Sequence, residues 1–134
     1  MTMSLKVFDT LGTITVVTPP SMINPGAISF CLVNLKEEQK NQFAMQLNKI
    51  FPNDNVTVFM YDDVNGKGPW LKQAGMKSRF IVMNKTNLPI FVEEALTDTN
   101  NVTDKIYEVT KDNDVESIFN KIKYIIIFSL IIRT

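Results

Sequence analysis

Two adjacent carboxylates, Asp62 and Asp63, are the first side chains in the sequence that could do chemistry. They stand at the end of residues 56–62, whose β-branched and aromatic composition predicts a strand. Open α/β sheets usually bind ligands at the carboxyl ends of their strands. Asp62 and Asp63 are therefore candidate binding residues, although Asp-Asp-Val-Asn-Gly is also a typical turn sequence that needs no ligand.

Three further side chains could contact a ligand. Trp70 is the only tryptophan, and its indole could stack on a base or ring or could pack inside the protein. Glu93 and Glu94 belong to a predicted short helix at residues 88–98. Adjacent helical residues point about 100° apart, so only one of the two can face a cleft. A carboxylate in a cleft could act as a general acid or a nucleophile, whereas one on the outer face would only be solvated.

The composition excludes several kinds of active site. The chain has no histidine, which excludes Ser-His-Asp and Cys-His catalysis and most zinc and non-haem iron sites. Cys31 is the single cysteine and lies in an apolar run, so we predict a buried, inert thiol. Gly66 and Gly68 flank a lysine but lack the spacing of a phosphate-binding loop. We therefore predict neither a metal nor a cofactor.

Charge and hydropathy limit the partners and the location. Lysine and arginine together number 14, as do aspartate and glutamate, so no net charge attracts nucleic acid and none is expected as a partner. The first residues lack the sustained apolar core of a signal peptide, and the apolar run at 124–132 is too short to span a bilayer. We expect a protein of the cytoplasm or of a virion that is not secreted and has no transmembrane segment.

Strand-like and helix-like patterns alternate along the chain. The helix at residues 36–51, for example, has its apolar residues at i, i+4, i+7 and i+8 from Phe43. Alternation of this kind predicts βαβ crossovers, a mainly parallel sheet and a small doubly wound α/β fold in a single domain over residues 1–134, with its core at 28–110. The predicted strands are residues 28–35, 56–62, 79–84 and 105–110, and the further predicted helices are 70–77 and 88–98.

The amino-terminal part has a different pattern. Residues 5–18 contain two β-rich pieces around Gly12, which predict a hairpin or two extended segments. They would add an antiparallel edge to the sheet or form a separate ribbon. Residues 19–26 contain three prolines and are predicted to be a loop.

The carboxyl-terminal segment, residues 114–133, is predicted to be one long helix. Asn113 and Glu116 are spaced as a capping pair, and apolar residues follow at helical spacing. Residues 124–132 are apolar on every side and rich in isoleucine, so a fifth strand is the alternative. We favour the helix because Asn120 is the only turn-forming residue that could separate a helix from a strand there.

Residues 59–96 resemble the central part of a TIR domain and of the related nucleoside deoxyribosyltransferases. In these families an acidic residue ends a strand, a loop and a short tryptophan-containing helix follow, and a Ser-Arg step leads into the next strand. A later helix then carries a glutamate that attacks or stabilises an N-glycosidic bond. The residues that match this layout are Asp62, Trp70, Ser78, Arg79 and Glu94.

The resemblance implies a flavodoxin-like or TIR-like fold. It also implies a nucleotide- or nucleoside-directed N-glycosidase or transferase, in which Glu94 or Glu93 is catalytic and Asp62 orients the ribose. A nucleotide would be a ligand only under this hypothesis.

The second hypothesis is a non-catalytic protein that works by association. If residues 114–133 form one helix, its second half, Tyr124–Ile132, is apolar around the whole circumference and must be buried. We expect this segment to contact a protein partner or a second copy of the chain. The lysine-, isoleucine- and asparagine-rich composition is typical of an AT-rich genome, such as those of many phages and low-GC bacteria, and by itself indicates no function. From the apolar carboxyl-terminal segment we expect a structural or accessory subunit of a phage particle or of another phage-encoded complex.

Overall fold

The computed structural model of the protein describes residues 14–17, 28–51, 55–61, 68–97 and 105–133. Within these ranges, five strands alternate with four helices. The strands are β1 (Ile14–Val17), β2 (Ser29–Val33), β3 (Val56–Tyr61), β4 (Phe80–Met83) and β5 (Lys105–Glu108), and the helices are α1 (Glu37–Ile50), α2 (Gly68–Lys77), α3 (Ile90–Thr97) and α4 (Val115–Arg133).

The strands form one sheet in the order β1-β3-β2-β4-β5, and every pair of neighbours runs parallel. The chain leaves β2 through α1 to reach β3 on one side, and it then passes through α2 to β4 on the other side. This order is that of a small flavodoxin-like, doubly wound fold of the Rossmann-like kind, with β1 added outside β3. The predicted α/β class and the parallel sheet are confirmed.

Strand β1 corrects one prediction. It occupies an edge of the sheet but runs parallel to β3, with Ile14 opposite Val56 and Val17 opposite Phe59. The antiparallel pairing predicted for such an edge is therefore wrong at Ile14–Val17. Composition favours a strand without fixing its direction, which depends on the connection to the next strand. The other predicted piece, residues 5–13, and the predicted loop at 19–26 lie outside the described residues.

Helices α1 and α4 cover one face of the sheet. Phe30 of β2 lies at the centre of this core, and its ring centroid is 5.0 Å from that of Phe43, 5.5 Å from that of Phe80 and 5.8 Å from that of Phe119. These rings come from two strands and two helices, so one aromatic cluster joins the sheet to both helices. The buried residues of α4 that complete the layer are Val115, Ile118, Phe119, Ile122 and Ile126.

Helices α2 and α3 cover the other face and make the fold three-layered. Leu71 and Ala74 of α2 and Val92 and Leu96 of α3 are fully buried there. Cys31 points into this layer and is fully buried, and desolvation raises the pKa of its thiol far above the ordinary value. A thiol that stays protonated and inaccessible is a poor nucleophile, so the prediction of an inert, buried Cys31 is confirmed.

The carboxyl-terminal segment is a single helix, as predicted, and the alternative of a fifth strand at 124–132 is wrong. The cap differs from the predicted Asn113–Glu116 pair, because Asp114 occupies the N-cap position. Its Oδ1 accepts a hydrogen bond from the backbone N–H of Ser117 at 2.9 Å, and this bond lowers the pKa of the Asp114 carboxyl. Asn113 instead donates through Nδ2 to the Glu108 carbonyl at 3.0 Å, which holds the end of β5 against the start of α4.

Candidate functional site

The predicted binding residues are only partly within the described ranges. Asp62 and Asp63 lie outside them, and Trp70 is in the first turn of α2 but has no described side chain. Glu94 lies on α3 and is exposed. Of the four predicted binding residues, Glu94 is thus the one whose side chain the structure places.

Glu93 takes part in a surface ion-pair network. The Lys85 ammonium lies 3.1 Å from Glu93 Oε1 and 3.7 Å from Glu108 Oε1. The hydrogen bond and the charge of Glu93, with that of Glu108, raise the pKa of Lys85. All three side chains are nearly half exposed, so solvent screens these ion pairs and they contribute little to the stability of the fold. Lys85, in the loop after β4, therefore links Glu93 of α3 to Glu108 of β5.

Ser78 and Arg79, which belong to the resemblance described above, make structural contacts. The Ser78 hydroxyl donates to the Ala74 carbonyl at 2.6 Å, one turn back in α2. The Arg79 N–H donates to the Ser29 hydroxyl at 2.9 Å, and its guanidinium lies 5.4 Å from the centroid of the Phe80 ring. The Ser78 contact lies at the end of α2 and the Arg79 contacts lie at the start of β4 beside β2, and none of them involves a ligand.

The topology of the sheet identifies a different location for a site. The connections from β2 and from β3 lead to opposite sides of β2, so the strand order reverses between β2 and β4. In open α/β sheets, ligands bind in the crevice outside the carboxyl ends of the strands at such a reversal. Asn34 and Asn84 are the first residues after β2 and β4, and the Asn84 N–H donates to the Val33 carbonyl at 3.0 Å.

Asn34 joins the loops that follow β2 and β4. Its Nδ2 donates to the Asn84 carbonyl at 3.1 Å and to the Thr86 carbonyl at 3.0 Å. Its backbone has φ of 59°, in the left-handed region that asparagine tolerates better than most residues. Asn84 Oδ1 accepts the Thr86 N–H at 3.0 Å. The two asparagines thus order both loops at the reversal point.

Gln39 extends this network to the start of α1. Its Oε1 accepts the backbone N–H of Lys36 at 2.8 Å and the Nδ2 of Asn84 at 3.4 Å. Lys36 is the N-cap residue, but an ammonium cannot accept the reciprocal bond of a capping box. The helix start, the β4 loop and the β2 loop are therefore connected through amide side chains, while the Lys36 side chain remains exposed.

A cavity of about 400 Å³ opens beside this network. It lies between the start of α1, the loop after β4 and the segment that joins β5 to α4, and we call it the switch-point cavity. Its walls carry charges of both signs. The lining residues are Lys36, Glu38, Gln39, Gln42, Asn84, Thr86, Val109, Thr110, Lys111 and Asp114.

A second candidate surface lies on α4. Tyr124 is 68% exposed and Ile127 is 42% exposed, and they are one turn apart on the side away from the sheet. We call these two residues the α4 outer surface. The Lys123 ammonium lies 5.3 Å from the centroid of the Tyr124 ring, which places a cation beside it. The opposite side of the same helix is buried in the core.

The sequence analysis missed Asn34 and Asn84. A signal was present, because each asparagine directly follows a continuous apolar run that forms a fully buried strand. Amides at the ends of two buried strands become one site only when those strands are neighbours, however, and the sequence does not give the strand order.

Within the described residues, no three His, Cys, Asp or Glu side chains lie close enough together to hold a metal ion. In the same part of the chain, no helix combines the length and the hydrophobicity that crossing a bilayer requires. Comparisons with protein-family models, with curated proteins and with solved structures found no match to the chain.

Proposed function

We propose that the protein acts without catalysis, as a structural or accessory subunit that associates with a second copy of itself through the α4 outer surface. The observation that carries this proposal is the exposure of Tyr124 and Ile127 on a helix whose other side already fills the core. Large side chains that are exposed together on one helix face are typical of contact surfaces.

The core of the domain does not need this face of α4. Val115, Ile122 and Ile126 follow one another along the inner side of the helix and are fully buried against the sheet and α1. These buried residues therefore account for the packing of α4 on its own domain. The apolar residues of the outer side have no such role.

Tyr124 and Ile127 form an apolar stripe on the outer side of α4. A helix with apolar stripes on both sides requires cover on both sides. Burying the Tyr124 and Ile127 side chains would contribute about 1.5–3 kcal/mol each before the entropic cost of association.

Charge favours a second copy as the occupant. The chain has 14 basic and 14 acidic residues, so two copies meet without net repulsion, and proteins near zero net charge associate readily. A two-fold contact uses the same patch on both chains, so one exposed helix face is sufficient to form it. The phage particle named in the sequence analysis stays a prediction about where such a subunit would act.

We expect the wild-type chain to sediment as a dimer, with about twice the 15.3 kDa mass of one chain. Glu substitutions of both Tyr124 and Ile127 should give a monomer, because four buried carboxylates would have to meet across the two-fold contact. Sedimentation velocity over a range of concentrations measures both masses, and circular dichroism checks that the variant is folded.

Met45→Glu is the matched control, since Met45 is also apolar and is 70% exposed, but lies on α1. It should leave the mass unchanged. A wild-type chain that stays monomeric at the highest soluble concentration contradicts the proposal. A double variant that remains dimeric contradicts it as well. A mass that equals one chain plus a different protein would show that the α4 outer surface binds that protein instead of a second copy.

The non-catalytic part of the proposal has its own test. Incubation of the protein with NAD and with deoxynucleosides should release no free base, as measured by chromatography. The exposed position of Glu94 and the ion pair between Glu93 and Lys85 place neither carboxylate in the switch-point cavity. Release that is lost in Glu94→Ala but kept in Glu116→Ala, an exposed glutamate of α4, would instead establish the glycosidase hypothesis.

A further inference from the structure

The switch-point cavity has the size and the position of a small-molecule site. Its volume of about 400 Å³ lies within the range of about 300–1,000 Å³ that is usual for ligand pockets. It lies at the carboxyl ends of parallel strands, beside the reversal of strand order where open α/β sheets bind ligands. Neither the α4 outer surface nor the proposed self-association accounts for it.

The walls of the cavity are pre-ordered by the amide network. Asn84 is buried, and its side chain is held by Thr86 on one side and by Gln39 on the other. Gln39 uses its Oε1 for two hydrogen bonds, which aligns the amide group at the cavity wall. A site whose polar groups are already fixed loses little conformational entropy when a ligand binds.

Charge defines the class of ligand. Lys36 and Lys111 are exposed at the cavity and, among the described residues, neither ammonium is in a salt bridge. Glu38 and Asp114 bring two carboxylates to the same walls. The Asp114 carboxylate caps α4 by accepting hydrogen bonds from Ser117, and an ionised carboxylate has about four acceptor sites in all. Two cations and two anions complement a ligand that carries both charges rather than a polyanion.

The uncharged residues that line the cavity limit the class of ligand further. Val109 is the only apolar side chain of the lining, and no aromatic ring lines the cavity within the described residues. A nucleobase would therefore have no ring to stack on. Thr86, Gln39 and Gln42 offer hydroxyl and amide groups that suit a polar side chain on the ligand.

We propose that the switch-point cavity binds a small zwitterion of the free amino acid class. Its carboxylate is held by Lys36 and Lys111, and its ammonium group is held by Glu38 and Asp114. The ordered amides of Gln39 and Asn84 form the wall against which the ligand packs.

The test is a titration of the full chain with each of the proteinogenic amino acids, followed by amide shifts in ¹⁵N–¹H correlation spectra. We expect at least one polar amino acid to give saturable shifts at Lys36, Asn84 and Lys111. The N-acetyl form and the methyl ester of that amino acid, which lack one charge each, should bind on the order of tenfold more weakly.

Two substitutions test the two halves of the site. Lys111→Gln removes one cation, and Asp114→Asn removes one anion while keeping an N-cap acceptor for α4. Each should weaken binding by about tenfold. Lys49→Gln, at the opposite end of α1, and Glu116→Gln, outside the cavity lining, should leave it unchanged.

The proposal is overturned if no amino acid gives saturable shifts at concentrations up to about 10 mM. It is also overturned if the blocked forms bind as tightly as the zwitterion, or if the Lys49 and Glu116 variants weaken binding as much as the cavity variants. Saturable binding of inorganic phosphate or a sugar phosphate without any amino acid would assign the cavity to anions instead.

Discussion

Replacing Phe119 with alanine is expected to lower the free energy of unfolding by about 3–5 kcal/mol. Phe119 is fully buried, and its ring centroid lies 4.7 Å from that of Phe43 on α1 and 5.8 Å from that of Phe30 on β2. The substitution removes the ring and leaves a cavity at the point where α4, α1 and the sheet meet. Since small domains are stable by about 5–15 kcal/mol, this loss is a large fraction of the total stability.

Urea denaturation followed by far-ultraviolet circular dichroism measures this effect. Phe91→Ala is the matched control, because Phe91 lies on α3 and is 38% exposed. This substitution should lower the free energy of unfolding by less than about 1 kcal/mol, as is usual for partly exposed positions. A loss below about 1 kcal/mol in Phe119→Ala would show that α4 does not pack on the aromatic cluster as the structure has it.

The strands of the sheet were predictable because burial on both faces leaves a strong signal. All residues of β2 and β4 are buried, and all of them except Ser29 are apolar, which matches strands covered by helices on two sides. The helix at Glu37–Ile50 was predictable because its buried apolar residues, Phe43, Ala44 and Leu47, recur at helical spacing, whereas Glu38 and Lys49 are exposed. Periodicity records which faces are buried.

The direction of β1 was not predictable, because periodicity indicates which faces are buried but not which way a strand runs. Its β-branched residues fit a pleated surface whether the neighbouring strand is parallel or antiparallel.

The N-cap of α4 was misplaced by one residue because Asn113 and Asp114 are both good capping residues, and only the structure shows that Asp114 bonds to the Ser117 N–H.

The candidate site depended on information that a single sequence lacks. Asn34 and Asn84 are 50 residues apart, yet Asn34 Nδ2 donates to the Asn84 carbonyl, because β2 and β4 are neighbours in the sheet. The order of the strands depends on the side of the sheet to which each connection leads. The type of a single residue does not reveal that side. The acidic residues Asp62 and Asp63 stay predictions, since they lie outside the described residues.

Ending the chain after Lys123 is expected to destabilise the domain as well as prevent association. The sequence alone suggested that residues 124–132 serve only a partner, so that the shortened chain would remain folded. The structure places Ile126 fully buried in the core and packs Ile125 against it. Losing a buried isoleucine costs about 2–5 kcal/mol, and the shortened helix loses its last turns in addition.

Two neighbouring isoleucines separate the two roles of this helix. Ile126→Ala should lower the free energy of unfolding by about 2–5 kcal/mol, because its side chain fills the core on the inner side of α4. Ile127→Ala should change the stability of the monomer by less than about 0.5 kcal/mol, because the Ile127 side chain is 42% exposed on the outer side.

Urea denaturation at low protein concentration, where the monomer dominates, measures both effects, and sedimentation at high concentration measures association. Ile127→Ala should weaken the dimer while leaving the fold intact, and Ile126→Ala should do the reverse once enough folded chain is present. Equal losses of stability in the two variants would mean that both sides of α4 are buried within one chain. The α4 outer surface would then belong to the core, and self-association would need another contact.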